Sequence, residues 1–247
     1  MSAGDRRLVH YRSTPGPRAR LFCFPYAGGG LSVFQSWPER LPSSVDVCSF
    51  ALPGRDTRMR EEPLTAMPAL VADVLDAVAP ALDLPFTFFG HSMGAILAFE
   101  LARALRRRGA PLPSLLVIAA HTAPHFEHRN PIGDLPDVSF VTELRRLTGD
   151  GDDALRDPEI VELFLPILRA DVTLCETYRW TEEPPLECPM VAFGGDEDTE
   201  VTPEDLSEWR LHTAGSFEVE IVAGGHFFVR TEVPSFLERL RSHLSLP

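Results

Sequence analysis

Lysine is absent: all 23 basic side chains of this 247-residue chain are arginine. Usage this one-sided fits codon bias in a GC-rich genome, and no function is read from it. Cysteine is scarce, at four residues. Cys23, Cys48, Cys175 and Cys188 form no C-x-x-C pair and show no metal-ligand spacing, which argues against a disulfide framework or a zinc module. Three of them lie in or beside apolar runs, where cysteine behaves as a small hydrophobe, so a reduced, intracellular protein is expected. No apolar run approaches the roughly 20 residues of a membrane span, and the first residues carry charge where a secretory signal needs an apolar core. A soluble, cytoplasmic protein is the resulting expectation. Positive charge is also in deficit: the net charge of −13 argues against a general nucleic-acid or anionic-membrane surface. The deficit is uneven, since residues 1–120 hold 13 basic and 10 acidic side chains while the remainder is strongly acidic. Internal repeats and low-complexity linkers are absent as well.

What is present reads as one globular unit. The length supports a single large core, and 44% hydrophobic and 24% charged residues are ordinary for a folded domain. Short runs at 21–24, 45–51, 86–89, 115–120, 189–193 and 217–222, most of them continuously apolar, read as strands buried on both faces of a parallel sheet. Helical patterns near 64–78, 93–108, 203–212 and 234–244 alternate with them. A doubly wound α/β sheet is predicted. Residues 121–185 break the alternation with two helical patterns, 138–147 and 159–178, separated by a loop at 149–153. An insertion of this size between strands is expected to cover a site as a lid.

The strongest local signal is Gly90-His91-Ser92-Met93-Gly94, which comes after one apolar run and opens a helix. In that setting a G-x-S-x-G segment is a nucleophile elbow, with Ser92 strained at its tip and glycines on either side because side chains there would collide. A serine hydroxyl needs a base. On a doubly wound sheet of this kind the partners come in the order serine, acid, histidine. His226 is reached from a strand through Ala223-Gly224-Gly225 and is the expected base. His212 and His243, at helix ends, read as solvated surface. The acid is expected from Asp196-Glu197-Asp198, after the strand at 189–193. Asp198 is preferred because the loop has cleared the strand and Val201 can tuck back as an apolar anchor; Asp196 is the runner-up. The oxyanion of an acyl-transfer intermediate needs two donors. The backbone N–H of Met93 is one, and that of Ala27, in the glycine-rich run after the strand at 21–24, is chosen as the other. A phosphate-cradling role for those glycines lacks the flanking G-K-[ST] or G-x-G-x-x-G.

With these residues the sequence resembles a type II thioesterase, the discrete editing thioesterase of polyketide and nonribosomal peptide assembly lines, within the α/β-hydrolase superfamily. Four stretches carry the resemblance over nearly the whole chain: F-P-Y-A-G-G at 24–29, L-P-G-R-D-T-R-M-R-E at 52–61, G-H-S-M-G-A with A-F-E-L-A-R across 90–103, and P-I-L-R-A-D at 166–171 with the later Tyr178. The nucleophile motif is shared with many hydrolases; the second and fourth stretches are much more particular. Tyr26 stands where the family commonly has His, and Thr199 where it often has Pro. The resemblance implies an acyl thioester on the phosphopantetheine arm of an acyl or peptidyl carrier protein, cleaved by Ser92, His226 and Asp198 with no metal or redox cofactor, in a monomer. The serine-to-acid and acid-to-base spacings also match what the family implies, favouring Asp198 over Asp196. Acidic carriers would be steered by the mildly basic N-terminal half, with Arg55, Arg58, Arg60 and 106–108 as candidates, although a solvated helix end explains the last three. A generic carboxylesterase, an acyltransferase and an inert hydrolase-fold binding protein are the alternatives.

Overall fold

The computed structural model describes residues 7–11, 16–128, 130–148 and 153–244. The strands are β1 (Leu8–His10), β2 (Ala19–Phe24), β3 (Val45–Phe50), β4 (Phe86–His91), β5 (Leu115–Ala119), β6 (Met190–Gly195) and β7 (Phe217–Val222). They form one sheet in the order β1-β3-β2-β4-β5-β6-β7. All neighbours are parallel except β1, which runs antiparallel to β3 at one edge. The six apolar runs each became a strand. β1 was not anticipated, because three partly exposed residues at a sheet edge carry no apolar run to read.

The helices are α1 (Met67–Val78), α2 (Met93–Arg107), α3 (Asp137–Thr148), α4 (Pro158–Thr177), α5 (Pro203–Ser207), α6 (Phe228–Thr231) and α7 (Val233–His243). The pattern at 203–212 is helical throughout but tightens from α5 into a 3₁₀ turn at Glu208–His212. Side chains alternate across the strands, so both faces are apolar. Phe22, Phe24, Phe50 and Phe88 pack with α1 and α2 on one face. Leu21, Cys23, Phe89 and Phe193 pack with Trp37 and with Phe236 and Leu240 of α7 on the other. This is why most of the runs are continuous, whereas β7, at the sheet edge, alternates with Glu218 and Glu220.

The strand register sets where the connecting loops emerge. Phe24 pairs with Gly90, Gly90 with Ile118, Ala119 with Phe193, and Gly195 with Val222. The carboxyl ends of five parallel strands are therefore level. The loops beginning at Pro25, Ser92, Ala120, Asp196 and Ala223 all leave the same edge, which is where ligands bind on sheets of this kind.

Between β5 and β6 the chain carries α3 and α4 and, among the described residues, no strand; the expected loop at 149–153 lies outside those residues except for Asp153. α4 starts cleanly, with Asp157 accepting from the N–H groups of Glu159 and Ile160 and Pro158 in the first turn. Phe140, Leu144, Leu155, Leu168 and Val172 give the two helices a small core of their own. The return to β6 is strapped onto α2. Tyr178 Oη donates to Glu100 Oε1 at 2.8 Å, and the buried Arg103 donates to the Thr181 carbonyl at 2.6 Å. Arg106 and Arg107 both pair with Glu183. Two of the three arginines at 106–108 thus hold the insertion's return segment, rather than forming a free helix end.

Candidate active site

Ser92 sits between β4 and α2 with φ 53° and ψ −116°, a conformation that L side chains adopt only when the surroundings enforce it. The glycines around it are required sterically. A Cβ on Gly90 would lie 2.0 Å from the Gly94 carbonyl oxygen, and one on Gly94 would lie 2.1 Å from the Phe24 carbonyl oxygen. The second contact also brings the loop after β2 against the start of α2, close to Ser92.

His226 arrives from the loop after β7. Its Nδ1–H donates to Asp198 Oδ2 at 2.9 Å, and its Nε2 lies 3.2 Å from Ser92 Oγ, oriented to accept the hydroxyl proton. The Asp198 side chain is fully buried. Its second oxygen, Oδ1, accepts from the backbone N–H groups of Glu200 (2.9 Å) and Val201 (3.2 Å), so the carboxylate cannot swing away. Val201 is itself buried beside Ala192 and Leu206. Asp196, the competing acid, is exposed and turned elsewhere: its Oδ1 accepts from Gly224 N–H at 2.9 Å, bracing the loop that delivers His226. The structure therefore brings Ser92, Asp198 and His226 together and leaves Asp196 outside the relay. Ala27 lines the cavity beside Ser92, and Met93 begins α2 immediately after it.

One contributor was passed over in the sequence. His91 is completely buried, and its Nε2–H donates to the His226 backbone carbonyl at 2.8 Å. Its ring lies edge-on to Tyr26 (5.4 Å) and near His226 (5.5 Å). It occupies the free position of the G-x-S-x-G pattern, so the motif alone assigns it no role.

Two histidines differ from their expected settings. His212 is buried, not solvated, with its Nε2 2.9 Å from His125 Nδ1 and its ring against Phe99 and Trp209. His243 is partly covered and lies 3.2 Å from Glu220. In both cases the helix end packs back on the body of the protein, which one-dimensional periodicity does not reveal. Arg55 is likewise buried, in an ion pair with Asp171. It is not available to steer a partner. Arg58 is bound to Glu61 and Asp73, which leaves Arg60 as the exposed member of that group.

Burial also sets protonation. Burial and the neighbouring His226 hold His91 well below the usual imidazole range. Burial pushes His121 down to about 4, and burial with nearby His125 pushes His212 down to about 4. An unfolded imidazole titrates near 6.5. Below about pH 6.5 the unfolded chain binds protons that the folded chain refuses, so this stability is fully present above that value and is lost as pH falls toward 4. Thermal unfolding measured from pH 8 to 5 should show Tm falling below about pH 6.5, with a shallower fall in His212→Asn. A flat Tm from pH 7 to 5 would contradict neutral burial of these rings.

The cavity above Ser92 has a volume of about 1100 Å³. One wall comes from the body of the protein, with Tyr26, Ala27, Ser92 and His226. The insertion supplies the apolar side chains Ile132, Leu144, Leu155, Phe164, Leu168 and Val172 to the lining, together with polar ones that include His128, Glu143, Arg146 and Glu176. Two lining residues also pair with each other: Arg146 of α3 reaches Glu200, in the loop that carries Asp198, at 3.0 Å. The four cysteines are free and their thiols are pushed up by burial, Cys188 to about 11. None is poised as a nucleophile. Chemically, the arrangement offers one hydroxyl at a helix N-terminus, hydrogen-bonded to a histidine and facing a chamber of mixed apolar and polar lining.

Comparison with known proteins agrees in sequence and fold. Residues 19–244 match the thioesterase domain family. The chain is 40% identical to the gramicidin S biosynthesis protein GrsT of Aneurinibacillus migulanus, over 100% of this chain and 96% of that one. Among solved structures, the RedJ thioesterase of the prodiginine biosynthetic pathway in Streptomyces coelicolor is 41% identical with a TM-score of 0.88, covering 92% of this chain and 91% of that one. The type II thioesterase BorB, from the borrelidin biosynthetic cluster, superposes with a TM-score of 0.90 at 34% identity, covering 99% and 100%. Along nearly its full length, the chain belongs to the thioesterase family.

Proposed function

We propose that this thioesterase hydrolyses acyl groups held as thioesters on the phosphopantetheine arm of acyl or peptidyl carrier proteins. In this role it removes aberrant or stalled acyl groups from polyketide or nonribosomal peptide assembly lines in the cytoplasm. The observation that carries the reading is the hydrogen-bonded line from Asp198 through His226 to Ser92 beside a large cavity partly lined by apolar side chains of the insertion. Ser92 Oγ attacks the thioester carbonyl as His226 Nε2 takes its proton, and the new C–O bond places a negative charge on the carbonyl oxygen. The backbone N–H groups of Ala27 and Met93 stabilise that oxyanion, favoured by the α2 N-terminus. Collapse breaks the C–S bond, and His226 returns the proton to the departing thiolate. Water, deprotonated by His226, then attacks the acyl-enzyme and releases the acid and Ser92. Asp198 keeps the His226 tautomer and stabilises the imidazolium.

The insertion serves as a lid whose apolar side chains receive the acyl chain, while the pantetheine arm reaches Ser92 from the solvent side. Every group in the relay comes from a single chain, so a monomer suffices. The relay needs no metal or redox cofactor.

Paired acyl substrates test the reading. An acyl carrier protein thioester, a short acyl thioester and the matched oxyester are assayed for kcat/KM. The carrier thioester is expected to be cleaved best and the oxyester worst. A strong oxyester preference would instead mark a general carboxylesterase.

A further inference from the structure

Three successive glycines, Gly28–Gly30, come directly after the proposed oxyanion donor Ala27, and such a run is poorly suited by itself to hold a donor still. The turn is closed by Gly29 N–H donating to the Tyr26 carbonyl at 2.8 Å. That carbonyl belongs to the same peptide plane as the Ala27 N–H, so the position of Gly29 sets the direction of the Ala27 donor. Gly28, at φ +79°, lies against α4: a Cβ there would come within 2.5 Å of Leu168 Cδ2.

Both flanking peptides are gripped from outside the loop. Gly28 N–H donates to Asp171 Oδ2 at 2.7 Å, and Arg55 Nη1 donates to the Gly29 carbonyl at 3.0 Å. Arg55 and Asp171 are joined by two parallel 2.7 Å hydrogen bonds and are 4% and 3% exposed. The next residue, Asp56, accepts from Leu31 N–H at 3.0 Å and holds the far end of the glycine run. A buried ion pair is poor at adding net stability, because desolvation offsets the attraction. Here Arg55 Nε even lacks a partner among the described residues. The fork is therefore satisfied toward the glycine loop and α4 at the expense of its third face.

We propose that Arg55 and Asp171 are positioning residues that preorganise the oxyanion donor of Ala27 and tie it to α4 of the insertion. The inference rests on the serine mechanism proposed for this site. It also explains why two segments remote in sequence, Leu-Pro-Gly-Arg-Asp at 52–56 and Pro-Ile-Leu-Arg-Ala-Asp at 166–171, meet at one point. A preorganised donor contributes in the transition state and little to ground-state binding.

The test uses the full chain with Arg55→Met and Asp171→Leu combined, so that no unpaired charge is left buried, and separately Arg55→Lys. The double variant should lose about 100-fold in kcat, the scale of losing one oxyanion donor, with KM for a short acyl thioester changed less than about 3-fold. A trifluoromethyl ketone analogue, which forms an oxyanion on Ser92, should weaken by a similar factor. A thioether analogue lacking the reactive carbonyl should bind as before. Arg55→Lys keeps the charge but not the fork, and an intermediate loss is expected. If a folded variant of either kind keeps wild-type kcat, or if both analogues weaken equally, the proposal is overturned. Failure of a fluorophosphonate to label Ser92 in the unsubstituted protein would instead sink the serine mechanism itself, which keeps the two failures distinct.

Discussion

Ser92→Ala is expected to abolish thioester hydrolysis, lowering kcat by about 10⁶-fold, the scale seen when a triad nucleophile is removed. The fold should survive. Ser92 already bears the strain of φ 53° through its Cβ, and alanine carries the same Cβ, so the backbone conformation is no harder to hold. Only the Oγ contact to His226 Nε2, at 3.2 Å, is removed. Steady-state kinetics on an acyl thioester, with thermal unfolding alongside, measures both halves of the expectation. Activity within tenfold of the unsubstituted enzyme would remove Ser92 from the chemistry. A collapse of Tm would show that its hydroxyl has a structural duty the geometry does not suggest.

Asp198→Asn should lower kcat by about 10⁴-fold, and the hydrogen bonds around the carboxylate explain why. Oδ1 accepts two backbone N–H groups, from Glu200 and Val201. An asparagine must therefore keep its oxygen at that position, which turns its NH₂ toward His226 Nδ1. Nδ1 then becomes an acceptor and the ring proton moves to Nε2, the atom that must take the proton of Ser92. The ring stays in place in the wrong tautomer. Asp196→Asn removes charge but not the needed acceptor, since its Oδ1 can still receive Gly224 N–H, and a loss below about tenfold is expected. Measuring kcat for both variants decides the assignment; the reverse ranking would make Asp196 the acid.

Much of the site was legible in one dimension because its constraints are local. The collision of a Cβ at Gly90 with Gly94 only four residues away is built into the tight turn, so glycine, serine and glycine after an apolar run and before a helix announce the elbow. The order of strands and the glycines before His226 place a base and an acid on the same sheet edge. They do so because parallel strands in register end at one level. The choice between Asp196 and Asp198 is not a matter of local sterics. Both lie in one loop, and only the direction in which each side chain leaves the backbone separates a buried partner of His226 from an exposed brace on Gly224.

Other features had no one-dimensional signature. His91 looked like filler because its contact is a backbone carbonyl 135 residues away. His212 and Arg55 read as exposed or ambiguous because polar residues in loops and helix ends usually are, yet packing closed over them. Arg55 meets Asp171 across 116 residues. The sequence by itself determined the sheet, the elbow and the chemical types of the three groups in the relay, since these arise from periodicity and short-range sterics. Only the tertiary structure decided which acid faces the histidine, what pins the glycine loop beside Ser92 and which side chains of the insertion line the cavity, because those depend on side chains from distant segments converging in space.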